Sequence, residues 1–189
     1  MTRSSRIALL LLPLAAAALT LAGCGPATPP EGDSPPPTAS AGPTEEPSGP
    51  VFALPADCSA IASASTLATV FGEVEQVDPN DLTRPAPASA TKQLTCSWFA
   101  GDVTGGDVIY YATTAAAAQA QLPVVEADGY TCADAFEGTR CDKSSANAEF
   151  GTTSTETIFT RDDTWIYIGM SNLDASPLLP DIVATAWAA

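Results

Sequence analysis

Carboxylates near two predicted turns are the residues whose type and spacing most directly suggest chemistry. Asp102 and Asp107 flank the pair Gly105-Gly106, and Asp162-Asp163 form a second group at a predicted hairpin tip. Converging carboxylate oxygens are what Ca²⁺ requires, so either group could belong to a calcium site. Aspartate and glycine are also the residues that turns prefer, and the D-x-D-x-D-G spacing of a calcium loop is absent. We therefore interpret both groups as turn residues and predict no metal site.

The usual catalytic groups are missing from the sequence. No histidine occurs at any position, which removes the commonest general base and any Ser-His-Asp or Cys-His arrangement. No G-x-S-x-G nucleophile elbow is present either. A histidine-free hydrolase would need two carboxylates about 5–10 Å apart in a cleft, and it is the least favoured of our hypotheses. We expect no catalytic residue, no cofactor and no enzymatic activity.

Aromatic side chains are the other candidates for a binding site. Tyrosine and tryptophan occur in the two segments VIYYATT and TWIYIGM, and a further tryptophan lies near the end of the chain. At strand and helix spacing such residues are more often core than pocket. The alternative, that some of them contact a ligand, makes weak candidates of Tyr110, Tyr111, Trp165 and Tyr167.

Four cysteines follow Cys24 in the chain: Cys58, Cys96, Cys132 and Cys141. An even number in an exported domain indicates disulfides, and three connectivities are possible. Of these we favour Cys58–Cys96 and Cys132–Cys141. Zinc is the rival use of four thiols, but the sequence has no C-x-x-C and no histidine.

The N-terminus has the pattern of an export signal. Arg3 and Arg6 precede an apolar run from Ile7 to Ala22, and no acidic residue appears before Glu31. A basic start, an apolar stretch of this length and small residues at its end are typical of a signal peptide. A membrane-spanning helix would need about 20 apolar residues. We predict that residues 1–23 are a signal peptide.

The end of this run, Leu21-Ala22-Gly23-Cys24, resembles the lipobox of bacterial lipoproteins. In that family the cysteine thiol is alkylated with a diacylglyceryl group, and the signal is then removed. The resemblance implies lipidation of Cys24 and a protein held on the extracytoplasmic face of the cell membrane, since two or more acyl chains such as palmitate give stable anchoring. The alternative is an ordinary secretory signal that happens to contain a cysteine.

A tether and one domain follow the anchor. Residues 24–50 contain nine prolines and no aromatic or large aliphatic residue, so they cannot bury enough surface to fold. Residues 51–189 are long enough for a single domain with one core. All 22 acidic residues but only five of the seven basic ones follow the signal, which leaves a net charge of about −17. Nucleic acid and anionic lipid would repel such a chain.

The order of the predicted elements is helix, strands, helix, strands, helix, which favours an α+β domain with an antiparallel sheet and about three helices. We predict a helix between Ser63 as N-cap and Gly72, a hairpin that turns at GDVTGGD, and a helix from Thr114 that Pro123 kinks or ends. The segment 78–91 is a long polar loop.

The second half of the domain is predicted to contain two hairpins and a final helix. ADAFEGTR forms a small hairpin with Gly138 at its turn, and AEFGTTSTETIFT pairs with TWIYIGM through a turn at 161–163. Ser176 would cap the last helix and Pro177 would be its first residue. An apolar stripe then marks the buried face of that helix: Leu179, Ile182, Val183, Ala186 and Trp187.

Residues 57–188 resemble a domain of unknown function found in actinobacterial lipoproteins. The similar features are Cys58-Ser59-Ala60-Ile61, a helix that ends at Gly72, and the strand motif Cys96-Ser97-Trp98. The later elements are more distantly similar to the extracytoplasmic sensor domains of mycobacterial receptor kinases. The resemblance implies the fold, the anchor and a disulfide between Cys58 and Cys96, and it implies no catalytic residue.

Together these features favour a non-catalytic lipoprotein that binds or senses a small ligand or a component of the cell envelope. The alternative is an accessory or structural partner of another envelope protein. Its contacts would then be the membrane, through the lipid, and either a ligand or a protein, but not nucleic acid.

Overall fold

The computed structural model describes residues 50–188 except 73, 80–82, 102 and 150. The predicted signal peptide, Cys24 and almost all of the predicted tether lie outside the described residues. Within the described part, no helix has both the length and the apolar character needed to cross a membrane.

The domain is built on a seven-stranded sheet in which every neighbouring pair is antiparallel, in the order β1-β2-β3-β7-β6-β5-β4. Its strands are β1 Glu75–Val77, β2 Thr91–Ala100, β3 Thr104–Ala112, β4 Thr131–Ala135, β5 Gly138–Asn147, β6 Thr152–Arg161 and β7 Thr164–Ser171. Three helices accompany them: α1 Ala64–Phe71, α2 Ala115–Ala127 and α3 Leu178–Ala186. The predicted α+β class is confirmed.

Both faces of the sheet are covered, so its central strands are buried on both sides. Val108 and Tyr110 of β3 pack with α1 and α3, whereas Ile109 and Tyr111 pack on the side of α2. This alternation follows from the period of two along a strand. We call the two sides the α1/α3 face and the α2 face.

Local capping signals define α1 as predicted. The Ser63 hydroxyl accepts a hydrogen bond from the Thr66 amide at 3.3 Å, and Gly72 ends the helix with φ of 53°, a conformation that favours glycine. The same hydroxyl donates to Asp181 of α3 at 2.6 Å. Hydrogen bonds from the side chain and backbone of Ser63 lower the pKa of Asp181, so this carboxylate stays ionised while it joins the two helices.

Both favoured disulfides are present. Cys58, in a short 3₁₀ helix at Cys58–Ala60, is bonded to Cys96 of β2 with a Cα–Cα distance of 5.5 Å. Cys132 and Cys141 are directly paired residues of β4 and β5, and they form the second bond. Cys96 and Trp98 lie on the α1/α3 face, where the stacked ring of Phe71 meets Trp98 at a centroid distance of 3.9 Å.

The predicted turn between β2 and β3 is wrong in its extent. The strand β3 begins at Thr104, so Gly105, Gly106 and Asp107 are strand residues. A Cβ at Gly105 would clash with the backbone oxygen of Trp98, and one at Gly106 would clash with Met170. These glycines therefore serve close packing within the sheet and not a change of chain direction.

Two other turns differ from the prediction. The β4–β5 turn places its positive φ values on Phe136 and Glu137, at 52° and 60°, while Gly138 is the first residue of β5. Positive φ at both central residues is the geometry of a type I′ hairpin turn. The strand β5 continues to Asn147, and β6 begins only at Thr152.

The ends of α2 and α3 also correct the prediction. α2 continues past Pro123 to Ala127, so of the two predicted effects of this proline, a kink or an end, the end does not occur. α3 has no side-chain cap, because Pro177 precedes its first residue and the amide of Ser176 donates to Asp174 at 2.9 Å. The predicted apolar stripe is confirmed, since Leu179, Ile182, Ala186 and Trp187 are buried and Val183 packs against them.

Candidate functional site

The four aromatic candidates do not gather in one pocket. Tyr110 lies on the α1/α3 face, whereas Tyr111, Trp165 and Tyr167 lie on the α2 face, and all four are buried. The indole of Trp165 donates to the Pro85 carbonyl at 2.9 Å. Three of these side chains are thus mainly core, and Tyr167 is the one that borders a polar cleft.

The four aspartates predicted to lie in turns are also separated. Asp107 is a buried strand residue with 2 % exposure, Asp102 lies outside the described residues, and Asp162 and Asp163 are exposed between β6 and β7. Among the described residues no group of three or more potential metal-ligating side chains is found.

Asp107 is held by two donors on the α2 face. Ser97, on the neighbouring strand β2, donates its hydroxyl proton at 2.6 Å, and the Nη2 of Arg84 donates at 2.8 Å. Asp107 therefore forms a buried ion pair with Arg84. The hydrogen bond within this pair is charge-assisted, which makes it stronger than one between neutral groups. Sequence reasoning did not identify this role.

Arg84 comes from the predicted long loop at 78–91, between β1 and β2. Ala86 and Ala90 of this loop pack on the α2 face, so the loop covers part of the sheet. The guanidinium carbon of Arg84 lies 5.4 Å from the ring centroid of Tyr167, a cation–π distance. Burial alone would lower the pKa of Arg84, but the hydrogen bond to Asp107 and the charge of nearby groups raise it overall, so the side chain stays cationic.

One hydrogen-bond donor of Arg84 is unused. Its Nε is buried and has no hydrogen-bond partner among the residues that the structure describes. A buried donor without a partner costs free energy, and in native proteins such a group is commonly met by water, an ion or a ligand.

Glu156 provides the second carboxylate of the same face. It accepts a hydrogen bond from the phenol of Tyr130 and lines the same cleft as Tyr167. Burial, together with the interaction with Glu156, raises the pKa of both tyrosines. Both phenols therefore remain protonated, and that of Tyr130 donates to Glu156.

Glycine separates the two carboxylates. Gly169 of β7 pairs with Asp107 of β3 on one side and with Glu156 of β6 on the other. At a strand spacing of about 4.8 Å, the Cα atoms of the two acids are roughly 10 Å apart. A Cβ at Gly169 would lie 2.6 Å from the hydroxyl of Tyr167, so only glycine leaves room for that phenol.

These groups border a cleft of about 160 Å³ at the end of the sheet where β2 meets β3. We call it the polar cleft. Its residues are Arg84, Phe99, Gly105, Gly106, Asp107, Ser154, Thr155, Glu156, Tyr167, Gly169, Met170 and Ser171. One cation and two carboxylates give it mixed charge, an arrangement suited to hydrogen bonding with a small polar molecule.

A larger groove of about 530 Å³ lies beside α3 and extends to the edge of the sheet. We call it the edge groove. It is lined by Thr131, Arg140, Asp142, Lys143, Ser144, Thr155, Glu156, Thr157, Ile168, Leu173, Asp174, Ala175, Ser176 and Leu179. Asp142 is engaged there by the Nε of Arg140 at 2.8 Å and by the hydroxyl of Thr157 at 2.7 Å.

One short motif was missed at the sequence level. Ser89-Ala90-Thr91-Lys92 has the S-x-x-K spacing of some serine hydrolases. That motif needs a helix, which puts residues i and i+3 on one face. Here Ser89 lies in a turn and Lys92 in β2, and both are exposed. The motif therefore adds no catalytic site.

Arg84 and Glu156 were also missed, although each left a weak signal. Arg84 lies in a long loop, which is often functional, and Glu156 is a charged residue within a strand. Comparison of the chain with protein-family models, curated proteins and solved structures produced no match. The resemblance to actinobacterial lipoprotein domains and to receptor-kinase sensor domains therefore stays a prediction.

Proposed function

We propose that this protein is a non-catalytic lipoprotein, anchored on the extracytoplasmic face of the cell membrane, that binds a small zwitterionic molecule in the polar cleft. The observation that carries the binding proposal is the buried Nε of Arg84, which has no partner among the described residues. A ligand with an anionic group near Arg84 would satisfy this donor.

The chemistry of the cleft supports a zwitterion. A planar guanidinium matches a carboxylate in shape and charge, and the carboxylate of Glu156 complements an ammonium group. A cavity of about 150 Å³ holds one benzene ring, so a cleft of about 160 Å³ suits a molecule the size of a small amino acid.

A binding role also agrees with the state of the two acids. Asp107 accepts hydrogen bonds from Arg84 and Ser97, and Glu156 accepts one from Tyr130. Both carboxylates thus hold neighbouring side chains in place, Glu156 keeps acceptor capacity for an ammonium group, and the sequence contains no histidine to act as a base.

The anchor is tested by replacing Cys24 with alanine. Because only a thiol at this position can be thioether-linked, we expect Cys24→Ala to abolish lipid labelling and to release the protein to the medium or stall its processing. Cys58→Ala is the control, because it removes a cysteine of the domain together with its disulfide and leaves the lipobox-like sequence intact. Unchanged lipid labelling and membrane retention of Cys24→Ala would contradict the proposal.

The binding site is tested by thermal unfolding of the full chain with the common L-amino acids as probes. We expect at least one of them to stabilise the protein, by about 2.7 kcal/mol at roughly one hundred times its Kd. Glu156→Gln should remove this stabilisation, because it replaces the carboxylate proposed to bind the ammonium group by a neutral amide.

Asp134→Asn is the control for this experiment, since it removes the same charge from an exposed residue of β4. Its response to the probe should equal that of the wild type. The binding proposal is wrong if no amino acid stabilises the wild type, or if Glu156→Gln responds as the wild type does.

A further inference from the structure

The strand β5 is longer than the neighbour that pairs with its outer side. β5 spans Gly138–Asn147, and its pairing with β4 ends at Asp142, opposite Thr131. The five residues 143–147 pair with β6 on their inner side, and no described strand pairs with them on the outer side. We call residues 143–147 the β5 overhang.

An unpaired strand edge presents a row of backbone donors and acceptors. Proteins usually protect such edges with charged residues, proline or a bulge, because another chain can pair there. In the β5 overhang Ser144, Ser145 and Ala146 are small, uncharged and exposed, and the overhang contains no proline. Along Ser144, Ser145 and Ala146 a partner strand would therefore meet little steric resistance.

The edge groove extends this surface to the side chains of a partner. Lys143 and Ser144 of the overhang line it, together with Asp174 and Ser176 from the segment before α3. In strand addition, main-chain hydrogen bonds provide affinity while alternate side chains enter neighbouring pockets and provide specificity. The β5 overhang supplies the main-chain hydrogen-bonding groups, and the edge groove supplies the neighbouring pocket for side chains.

The negative charge of this chain favours a basic partner over a second copy of the chain. The residues that follow the predicted signal carry 22 acids against five bases, so two copies of the chain repel each other and self-pairing is disfavoured. Within the edge groove Arg140 is engaged by Asp142, and the ammonium of Lys143 lies 5.2 Å from the ring centroid of Tyr130, which is on the α2 face. Asp174 is exposed in the groove, and it attracts cations.

We propose that the β5 overhang is a docking site for an extended, basic segment of another protein, which adds to the sheet as a strand with its basic side chains in the edge groove. This proposal does not depend on the polar cleft.

The test uses the full chain in detergent micelles and a heptapeptide of alternating lysine and threonine. Two N-methylated versions carry the methyl groups on one or the other alternate set of amides. Only one edge of an added strand faces β5, so one methylated version should lose about a hundredfold in affinity through its blocked hydrogen bonds. The other version should bind as the unmodified peptide does.

Charge is tested in the same assay. A peptide with glutamate in place of lysine should bind at least tenfold more weakly, and Asp174→Asn should weaken binding of the lysine peptide about threefold to tenfold. Asp134→Asn, on β4 but outside the edge groove, should leave it unchanged.

Several results would overturn the proposal. Equal effects of the two methylation patterns would show that the peptide does not bind as a strand. Failure of the lysine peptide to bind, or equal binding of the glutamate peptide, would exclude a basic segment. A concentration-dependent dimer that the peptide disrupts would make a second copy of the chain the occupant.

Discussion

Replacing Asp107 with alanine is expected to lower the free energy of unfolding by about 3 kcal/mol. The side chain is buried and holds both Ser97 and Arg84. Its removal leaves the Ser97 hydroxyl, itself 1 % exposed, without its acceptor and deprives the guanidinium of its counter-charge. Because the side chain of Arg84 is 32 % exposed, water partly compensates, and we expect the low end of the range for a broken buried pair.

Chemical denaturation measures this loss, and Asp134→Ala provides the control. Asp134 is exposed on β4, and its replacement should change the free energy of unfolding by no more than about 0.5 kcal/mol. The double variant Asp107→Ala/Arg84→Ala should lose less than the sum of the single variants, because the pair acts as a unit. A loss below about 1 kcal/mol for Asp107→Ala would contradict the ion pair.

The second large effect is the loss of the disulfide between Cys58 and Cys96. The double variant Cys58→Ala/Cys96→Ala should lose about 3.9 kcal/mol in the chain-entropy model, because the bond spans 38 residues. The bond between Cys132 and Cys141 spans nine residues, and its removal should cost about 2.7 kcal/mol. The longer loop restricts the unfolded chain more strongly.

Denaturation of the two double variants under identical conditions compares these values directly. Cys96 is also 1 % exposed in the core, where alanine leaves space, so packing adds to the larger loss. If the Cys132→Ala/Cys141→Ala variant were the less stable of the two, loop length would not be the main cause of the stabilisation.

Signals that act over a few residues were sufficient to predict much of the fold. Ser63 and Gly72 bound α1 as their cap preferences require, and the alternation along β2 places Cys96 on the α1/α3 face. The α+β class follows from the order of such elements. Each of these predictions depends on residues that lie within one or two helical turns, or within a few positions of the same strand, of one another.

Predictions failed where contacts between distant segments override local preference. Gly105 and Gly106 are turn residues by local preference, but Trp98 and Met170 approach so closely that the strand needs glycine. Ser176 has the type of an N-cap, yet its amide instead donates to Asp174.

The polar cleft was not predictable for the same reason. It joins Arg84 from a loop, Asp107 from β3 and Glu156 from β6, and only the strand order β3-β7-β6 brings the two acids to either side of Gly169. Sequence patterns made Tyr167 a core residue or a weak ligand candidate and did not indicate that it shares a cleft with Glu156.

The central claim, that the polar cleft binds a small zwitterion through Arg84, is tested most directly by NMR of the arginine Nε–H groups during titration with amino acids. The domain has three arginines, of which Arg140 and Arg161 have a carboxylate near Nε. Our account predicts a saturable shift of the Arg84 signal alone, as its unpartnered Nε gains an acceptor. No shift, or equal shifts of all three signals, would contradict it.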